Sequence, residues 1–583
     1  MIRRILKSVR EYTLFALLAP LAMIGEVAME VQIPSLMADF MDYGVKITDL
    51  SFILSQGGKL LLCALCSLAF GVLSAAFATR AATGFAKNLR HDLFYKVQTY
   101  SFANIDKFST SSIVTRLTTD VANLQMAFQV SIRMTIRCVM MLVLAFIMAF
   151  RTSPRLSMIF CVALPLLAFG LFFIIGRVRG IFDRVFKTYD KLNNVVQENL
   201  HGIRVVKSFV QEEKETEKFT KVSGSIHDSF VKAERILAFN NPLMQFTSYS
   251  CMLLLSWFGA RLVVASGDIE ALGLTVGQLS SLFTYTQQIL SSLMMVSMVF
   301  VMITMSRAAA KRTYELLEEQ PDIVTAEDAV MEVKDGSVDF EGVSFRYSAD
   351  ASLNALSQVN LHIASGMTVG ILGSTGSSKT TLVQLIPRLY DATEGTVKVG
   401  GVNVQDYDLE VLRNNVAMVL QKNVLFSGSI AENLRWGNPE ATQEELEHAC
   451  RLACAHDFIT SFPQGYETHI EQGGTNVSGG QKQRLCIARA LLKKPKILIL
   501  DDSTSAVDTA TDAKINQAFR EEIPDTTKMI IAQRISSIKH ADLILVMDGG
   551  EIAAMGTHET LLAESPIYQE VYQSQQKGGE EHG

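Results

Sequence analysis

A segment rich in glycine and serine in the C-terminal half has the composition and spacing of a phosphate-binding loop. Residues 373–381 read GSTGSSKTT, and they follow a strand-like run and precede an amphipathic stretch. Backbone N–H groups of such a loop wrap phosphates, and the N-terminus of the following helix favours their charge. We predict that Lys379 reaches the β- and γ-phosphates of a nucleotide and that Thr380 holds Mg²⁺. The predicted loop residues are Gly373, Ser374, Thr375, Gly376, Ser377, Ser378, Lys379, Thr380 and Thr381.

A second segment supplies a carboxylate for the same site. Residues 497–500 read ILIL, and the run ends in Asp501. A short apolar run of this kind is typical of a buried strand. The carboxylate at its end is therefore predicted to hold Mg²⁺ together with Thr380.

A third motif, VSGGQ at residues 477–481, lies between these two segments and narrows the class. With it, nearly the whole chain resembles a half-transporter of the type IV ABC exporters. The resemblance implies that two ATP-binding domains dimerise head to tail, with each ATP between the phosphate loop of one domain and the SGGQ motif of the other. The motif is predicted to begin a helix, so that it can bind a γ-phosphate there. Its predicted binding residues are Ser478, Gly479, Gly480 and Gln481.

The resemblance also implies roles for residues outside these motifs. It implies that Tyr347 stacks on adenine and that Gln421 is a magnesium and water ligand that also senses the membrane domain. Residues 505–508 resemble the D-loop of the family. Residues 107–120 and 205–220 look like the coupling helices that press on the ATP-binding domains.

The chain departs from the family pattern at the residues nearest the chemistry. Asp502 stands where the family has the glutamate that acts as general base, and its side chain is one methylene shorter. A small misplacement of a catalytic group can cost roughly 100-fold in rate. Gln533 replaces the histidine that contacts the γ-phosphate, and an amide cannot carry the imidazole's charge. Ser378 replaces the usual glycine before Lys379, and the sequence leaves open whether it crowds the loop.

Two departures in one catalytic pair predict a degenerate site. Asp502, Gln533 and Gln421 would then support weak hydrolysis or none. The intact SGGQ motif would complete the catalytic site of a paralogous half-transporter in a heterodimer. The alternative is a slow homodimer.

Six apolar runs of about 20 residues predict membrane helices. They cover residues 13–38, 52–79, 132–150, 155–176, 242–265 and 277–305. The fold class is therefore an all-α membrane domain fused to an α/β ATP-binding domain. The predicted boundaries are 1–320 for the transmembrane domain, 321–335 for a linker, 336–575 for the ATP-binding domain and 576–583 for a polar tail.

Charge distribution predicts the orientation of the spans. The long gaps 80–131 and 177–241 are rich in Lys and Arg, which stay on the cytoplasmic side, so both termini lie inside. They are patterned as helices that continue past the membrane. Residues 1–12 are predicted to form a basic amphipathic segment on the cytoplasmic surface. The predicted location is the plasma (inner) membrane, with the ATP-binding domain in the cytoplasm.

A few polar residues lie within the predicted spans. Glu26 and Glu30 are one turn apart, and such charges face a partner or a cavity. A structural pair with arginine or polar groups is the favoured interpretation, and contact with cationic cargo or a proton is the alternative. Arg133 and Arg137 are predicted to snorkel to lipid headgroups. Methionines crowd the sixth span, where ordinary packing is favoured over adaptable contact with cargo: Met294, Met295, Met298, Met302 and Met305.

Composition limits the partners and the cargo. The net charge of −6 gives no signal for nucleic acid. The lipid bilayer, a second half-transporter and a hydrophobic or amphipathic compound are the predicted partners, with ATP and Mg²⁺ as cofactors. Multidrug-type export is the default by analogy with the family. Transport of lipid, peptide or siderophore, import by the same fold, and an ATP-gated regulator that pumps nothing remain alternatives.

Overall fold

A computed structural model describes residues 1–44, 50–266, 274–348, 353–502 and 507–580. Contacts divide the chain into two compact units. The membrane unit comprises Met1–Gln98 and Ser111–Glu319, and the ATP unit comprises Thr99–Thr110 and Gln320–Gly583. The segment Thr99–Thr110 therefore groups with the C-terminal part of the chain, although its sequence neighbours on both sides belong to the membrane unit.

The described N-terminal part of the chain is helical throughout. The α-helices are α1 (Ile2–Leu6), α2 (Thr13–Asp39), α3 (Leu50–Gln98), α4 (Phe102–Phe108), α5 (Thr110–Thr115), α6 (Val121–Val130), α7 (Ile136–Thr152), α8 (Pro154–His201), α9 (Ile203–Ser208), α10 (Glu212–Leu237), α11 (Asn240–Ser266) and α12 (Val276–Glu318). Short π-helical turns, Arg116–Asp120 and Ser131–Thr135, join α5, α6 and α7 into one continuous helix. A 3-10 turn, Lys7–Tyr12, links α1 to α2.

Within the described part of the chain, six helical segments are long and apolar enough to cross a membrane, as the sequence predicts. Each overlaps one of the predicted apolar runs. The helices α3 and α8 contain 49 and 48 residues, far more than the roughly 20 that span a bilayer. The predicted continuation of the spans into long helices is therefore confirmed for the gaps that follow them.

The N-terminal segment has a defined partner within the membrane unit. The hydroxyl of Ser8 and the guanidinium of Arg10 donate to the two carboxylate oxygens of Asp92 on α3, at 2.7 and 2.6 Å. The ring of Tyr12 packs so closely on Gly84 that an added Cβ would lie 2.4 Å from it. The segment predicted to lie on the surface is thus fixed to α3 by a carboxylate and a glycine.

The ATP unit combines α4 with a mixed α/β fold. Its strands are β1 (Val338–Phe345), β2 (Leu356–Ile363), β3 (Thr368–Gly373), β4 (Glu394–Val399), β5 (Val402–Asn403), β6 (Val416–Val419), β7 (Gly428–Ser429), β8 (His469–Ile470), β9 (Ile497–Asp501), β10 (Thr527–Ile531), β11 (Leu543–Asp548) and β12 (Glu551–Gly556). Its further helices are α13 (Lys379–Gln384), α14 (Leu409–Asn415), α15 (Ile430–Arg435), α16 (Gln443–Leu452), α17 (His456–Ser461), α18 (Gly479–Leu491), α19 (Thr509–Glu522), α20 (His558–Glu564) and α21 (Pro566–Glu580).

Two larger sheets form the framework of this unit. The antiparallel sheet has the order β2-β1-β4-β5, and the second sheet has the order β12-β11-β3-β10-β9-β6. In the second sheet β11, β3, β10, β9 and β6 run parallel. Every residue of β9 and β10 is buried, which explains the unbroken apolar run at 497–500, because a parallel sheet is covered on both faces.

Candidate nucleotide-binding site

The carboxyl ends of neighbouring parallel strands bring the predicted site residues together. The last residue of β10, Ile531, pairs with Ile371 of β3 on one side and with Asp501 of β9 on the other. The phosphate loop follows β3, Gln533 lies two residues beyond β10, and Gln421 lies two residues beyond β6. Open α/β sheets bind ligands at this edge, where loops and helix N-termini converge.

The predicted phosphate loop connects β3 to α13, as its sequence requires. The ammonium of Lys379 donates to the carbonyl oxygens of Gly373 and Ser374, at 2.8 and 2.7 Å, and so folds back over the loop. Burial lowers the pKa of this lysine, and the nearby carboxylates of Asp501 and Asp502 oppose that shift. The lysine is therefore held at the position where the phosphates of a nucleotide are expected.

Ser378 occupies the strained position of this loop. Its φ of 67° and ψ of 23° lie in the left-handed region, at the N-cap of α13. A side chain in this region costs roughly 1–2 kcal/mol, whereas glycine adopts it freely. The structure thus answers the question that the sequence left open: the serine is accommodated with backbone strain.

Thr380 and Asp501 lie together, as their predicted magnesium role requires. The Thr380 hydroxyl donates to Oδ1 of Asp501 at 3.0 Å. Asp501 is 2% exposed, and its Oδ2 atom has no hydrogen-bond partner among the residues that the structure describes. Burial raises the pKa of this carboxyl, so its ionised form costs stability as the pH rises, because the charge is buried without full compensation. A bound Mg²⁺ would supply that compensation and neutralise phosphate charge, and these two residues fit it.

In the predicted degenerate site, the two residues of the catalytic pair, Asp502 and Gln533, hydrogen-bond to each other. The Gln533 side-chain amide donates to Oδ2 of Asp502 at 2.7 Å, and the Gln421 side chain also favours the ionised form of this carboxylate by opposing the rise in its pKa. Burial raises the pKa of Asp502, while the hydrogen bond from Gln533 opposes the shift. Asp502 has a φ of 49°, in the left-handed region, so its backbone is constrained as well. The carboxylate at the general-base position is thus already engaged by the Gln533 amide.

The SGGQ motif begins a helix, as predicted. Ser478 is the N-cap of α18, and its hydroxyl accepts from the Gln481 backbone N–H at 3.3 Å. The Gln481 side-chain oxygen accepts in return from the Ser478 N–H at 2.8 Å. Ser478 and Gly479 are exposed, which leaves this helix N-terminus open to an anion from outside the chain.

The remaining residues predicted from the resemblance have distinct surroundings. Tyr347 is 54% exposed, and its hydroxyl lies 2.8 Å from the Thr381 hydroxyl on α13. In the predicted D-loop, Ser505 and Ala506 lie outside the described residues, whereas Asp508 caps α19 by accepting from Thr511 N–H at 2.9 Å.

Of the two predicted coupling segments, 107–120 shares only its first residues with Thr99–Thr110, the part that groups with the ATP unit. The segment 205–220 contains the end of α9, where Phe209 and Val210 are 71% and 79% exposed. Such exposure leaves apolar side chains available for another surface.

In the membrane unit, the two glutamates form an ion-paired cluster. Arg137 hydrogen-bonds to Glu26 and donates to Glu30 at 2.8 Å. Pairing with arginine, the favoured interpretation of the glutamates, is therefore confirmed. The expectation that Arg137 snorkels to lipid headgroups is wrong, because its guanidinium is engaged by these two carboxylates of α2. Paired charges avoid most of the cost of a bare charge in the hydrocarbon region.

The methionines of α12 are partly on the outer surface of this chain. Met295 is 42% exposed and Met298 is 73% exposed. Packing within one chain therefore does not account for these two side chains. The Met305 side chain lies outside the described residues.

Comparison with known proteins agrees with this architecture. A family model described as ABC transporter transmembrane region matches residues 16–315, and one described as ABC transporter matches residues 356–505. YfiB, an uncharacterised ABC transporter ATP-binding protein of Bacillus subtilis, is 34% identical over 573 residues, which cover 98% of each chain. An ATP-dependent lipid A-core flippase of Syntrophus aciditrophicus is 31% identical over 85% of this chain and 82% of its own.

A solved structure shares the fold. The structure of a bacterial Atm1-family ABC exporter with ATP bound superposes with a TM-score of 0.81 at 24% identity, over 97% of this chain and 98% of the other. The chain therefore belongs to the ABC transporter family. It is a multi-pass inner-membrane protein with an ABC exporter fold, in which a transmembrane domain is fused to a cytoplasmic domain that binds ATP with Mg²⁺ and couples ATP hydrolysis to transport.

Proposed function

We propose that this chain is one half of a heterodimeric exporter with two unequal ATP sites. Its phosphate loop binds ATP and hydrolyses it slowly or not at all. Its SGGQ helix completes the catalytic site of a paralogous half-transporter. The site residues keep the roles that their sequence motifs predict.

The observation that carries this proposal is the hydrogen bond between Gln533 and Asp502. A general base must reach the attacking water with a free lone pair, at about 2.6–3.2 Å. In this chain the side chain at that position is one methylene shorter than glutamate, and the Gln533 amide already donates a hydrogen bond to its carboxylate. The pair is better suited to hold a nucleotide pocket together than to remove a proton.

The open SGGQ helix supports the second half of the proposal. Its capping box is complete and its N-terminus is exposed, so nothing local prevents it from meeting a γ-phosphate that another chain holds. Preorganised backbone donors of this kind contribute through electrostatic stabilisation of the developing charge. The exposed apolar side chains Phe209 and Val210 also offer contact area to a second half-transporter.

The cargo in this proposal is a hydrophobic or amphipathic compound. The exposed methionines of α12, Met295 and Met298, are side chains that adapt to ligands of varied shape. One relative is described as a lipid A-core flippase, which is consistent with an amphipathic cargo. We therefore place the chain among multidrug-type exporters.

The test compares the full-length chain purified alone with the same chain copurified with a paralogous half-transporter. Alone, it is expected to hydrolyse ATP about 100-fold more slowly than the pair, because its own general base is misplaced. The pair is expected to accumulate a lipophilic fluorescent dye inside inside-out vesicles. Full hydrolysis and transport by the chain alone would indicate a homodimer.

Two further outcomes of the same experiment would contradict the transport part. Hydrolysis by the pair with no movement of any of a panel of lipophilic compounds would favour an ATP-gated regulator. ATP-dependent loss of dye from the inside-out vesicles would indicate import.

A further inference from the structure

The loop that follows β10 carries Gln533 and leads into a 3-10 turn, Ile535–Ser537. On its N-terminal side the Ala532 N–H donates to the Ile371 carbonyl oxygen at 3.2 Å, which extends the pairing of β10 with β3 by one residue. On its C-terminal side Ile535 is 2% exposed and belongs to the hydrophobic core. Gln533 itself is exposed and forms a bend between these two anchored points, so its position depends on contacts from elsewhere in the ATP unit.

One side chain from the last helix of the unit bonds to this loop at two places. Gln575 lies on α21, 42 residues after Gln533 in the sequence. Its Nε2 atom donates to the carbonyl oxygen of Gln533 at 2.8 Å, and its Oε1 atom accepts from the N–H of Ile535 at 2.9 Å. The two bonds use the donor and the acceptor of a single amide, which is planar, so together they restrict both the position and the direction of the loop backbone.

The helix α21 is held in place by other contacts. Tyr568 is fully buried and belongs to the same hydrophobic core as Ile535. The Gln569 side chain donates to the carbonyl oxygen of Leu562 at 2.8 Å, at the end of the preceding helix. Because these contacts do not involve Gln575, α21 is expected to keep its place when Gln575 is replaced, and the effect of its two bonds on the loop can be measured separately.

The Gln533 side chain has donors for two partners. Its Nε2 atom donates to Oδ2 of Asp502 at 2.7 Å. A primary amide carries two N–H groups on that nitrogen, so a second donor is left for a phosphate oxygen. The resemblance to the family implies that this position meets the γ-phosphate. A small displacement of the Gln533 backbone would take the amide out of reach of one of these partners.

We propose that Gln575 is a positioning residue of the nucleotide site, which holds the backbone of Gln533 so that its amide meets both Asp502 and the γ-phosphate of ATP. Gln575 acts through the main chain of Gln533. It therefore strengthens the binding of ATP, which has a γ-phosphate, more than the binding of ADP, which lacks one. The inference rests on the γ-phosphate contact expected for Gln533 in the proposed function, and the experiment separates the two.

The measurement is competition between nucleotides at this chain's own phosphate loop, in the assembled full-length transporter on ice. An azido derivative of ATP, radiolabelled on the α-phosphate, attaches on irradiation to the chain that holds its base. Label recovered on this chain, separated by mass from its partner, therefore reports this loop. Unlabelled ATP or ADP is the competitor, with Mg²⁺ present. The ratio of their half-inhibitory concentrations measures the contribution of the γ-phosphate to binding.

Gln575→Ala is expected to raise the half-inhibitory concentration of ATP by about fivefold, because only the conformers that keep Gln533 in place bind the γ-phosphate. The value for ADP should stay within about twofold of the wild type, as for a change at an independent site. Unchanged competition by ATP would overturn the proposal. So would equal weakening of ATP and ADP, because it would indicate a general loosening of the nucleotide site.

Gln533→Ala removes the contact that Gln575 is proposed to position. It is expected to weaken ATP by about tenfold, the low end for a hydrogen bond to a charged group. Adding Gln575→Ala to it should weaken ATP no further, because the two residues act through one contact, and additive losses would overturn the proposal. A Gln533→Ala variant that binds ATP as tightly as the wild type would instead contradict the γ-phosphate role of Gln533 in the proposed function.

Gln569→Ala serves as the matched control, because it removes a bond of the same kind, from an amide of the same helix to a backbone carbonyl. It is expected to leave the ratio for ADP and ATP unchanged, and a loss equal to that of Gln575→Ala would overturn the proposal. Gln575→Glu keeps an acceptor for the Ile535 N–H and loses the donor to the Gln533 carbonyl. It should therefore weaken ATP as Gln575→Ala does, and a wild-type ratio in this variant would contradict the positioning of Gln533.

Discussion

This chain contributes two groups of residues to ATP chemistry, the catalytic pair at the strand edge and the SGGQ helix, and the two differ in how their polar groups are engaged. At the strand edge, the Gln533 amide donates a hydrogen bond to Asp502, the residue at the general-base position. At the SGGQ helix, the Ser478 and Gln481 side chains each satisfy a backbone N–H of the capping box, and the helix N-terminus is exposed. Polar groups that hydrogen-bond to one another tend to have a structural role, whereas exposed and preorganised donors are able to bind a ligand. The comparison predicts that substitutions in the two regions have very different effects on hydrolysis.

The largest effect is expected from Ser478→Ala in the assembled transporter. The variant removes a donor to the γ-phosphate and disturbs the helix that presents the neighbouring N–H groups. Loss of one such donor costs roughly 100-fold or more in turnover number. Steady-state ATPase assays on the pair check this value.

Ser429→Ala is the matched control, because Ser429 caps α15 with the same kind of capping box. Both variants should lose about 1 kcal/mol of stability through the lost cap, and only Ser478→Ala should lose hydrolysis.

Asp502→Asn should change turnover of the pair less than about twofold if the site has little general-base function. A large loss of turnover in Asp502→Asn would contradict this prediction, because it would show that Asp502 acts as a general base.

A gain of activity is expected when both departures are reversed together. The double variant Asp502→Glu with Gln533→His should raise hydrolysis at this chain's phosphate loop by as much as about 100-fold, the rate lost through a misplaced catalytic group. Each single variant should give far less, because the two side chains contact each other and their effects are not additive. The measurement is ATPase activity with the partner's own site disabled.

Equal gains from the single and double variants would show that the hydrogen bond between Gln533 and Asp502 does not matter. No gain from any of them would place the defect elsewhere in the site. Equal gains would still be consistent with a degenerate site, but the hydrogen bond between Gln533 and Asp502 would then not explain its low activity.

The smallest effect is expected at Ser378 in the phosphate loop. Ser378→Gly relieves a left-handed backbone conformation and should stabilise the protein by about 1 kcal/mol, less the entropy that glycine gains in the unfolded chain. Thermal unfolding without nucleotide detects it as a higher midpoint. Ser374→Gly, outside the left-handed region, should give no such gain. A lower midpoint for Ser378→Gly would mean that the serine side chain makes a compensating contact.

Local pattern was sufficient to predict the elements of both units. The six apolar runs each lie in a membrane-length helix, and the strand-like runs at 368–372 and 497–500 lie in β3 and β9. These predictions succeed because hydrophobic run length and loop composition depend on nearby residues. The SGGQ helix start is a further case, because a capping box is complete within four residues.

From its amino-acid sequence, the class of this protein and the positions of its phosphate-loop, magnesium and signature motifs along the chain could be predicted. Which distant side chains pair became known only from the fold. It joined Gln533 to Asp502, Arg137 to two glutamates of α2, and Tyr390 to Asp106, which is 284 residues away in the sequence. A pairing of this kind depends on how strands align and helices pack, and periodicity in the sequence does not encode it. The same physical reason explains why Arg137 was expected to reach lipid: its spacing fits a helix near the membrane surface, but packing of α7 against α2 placed carboxylates beside it.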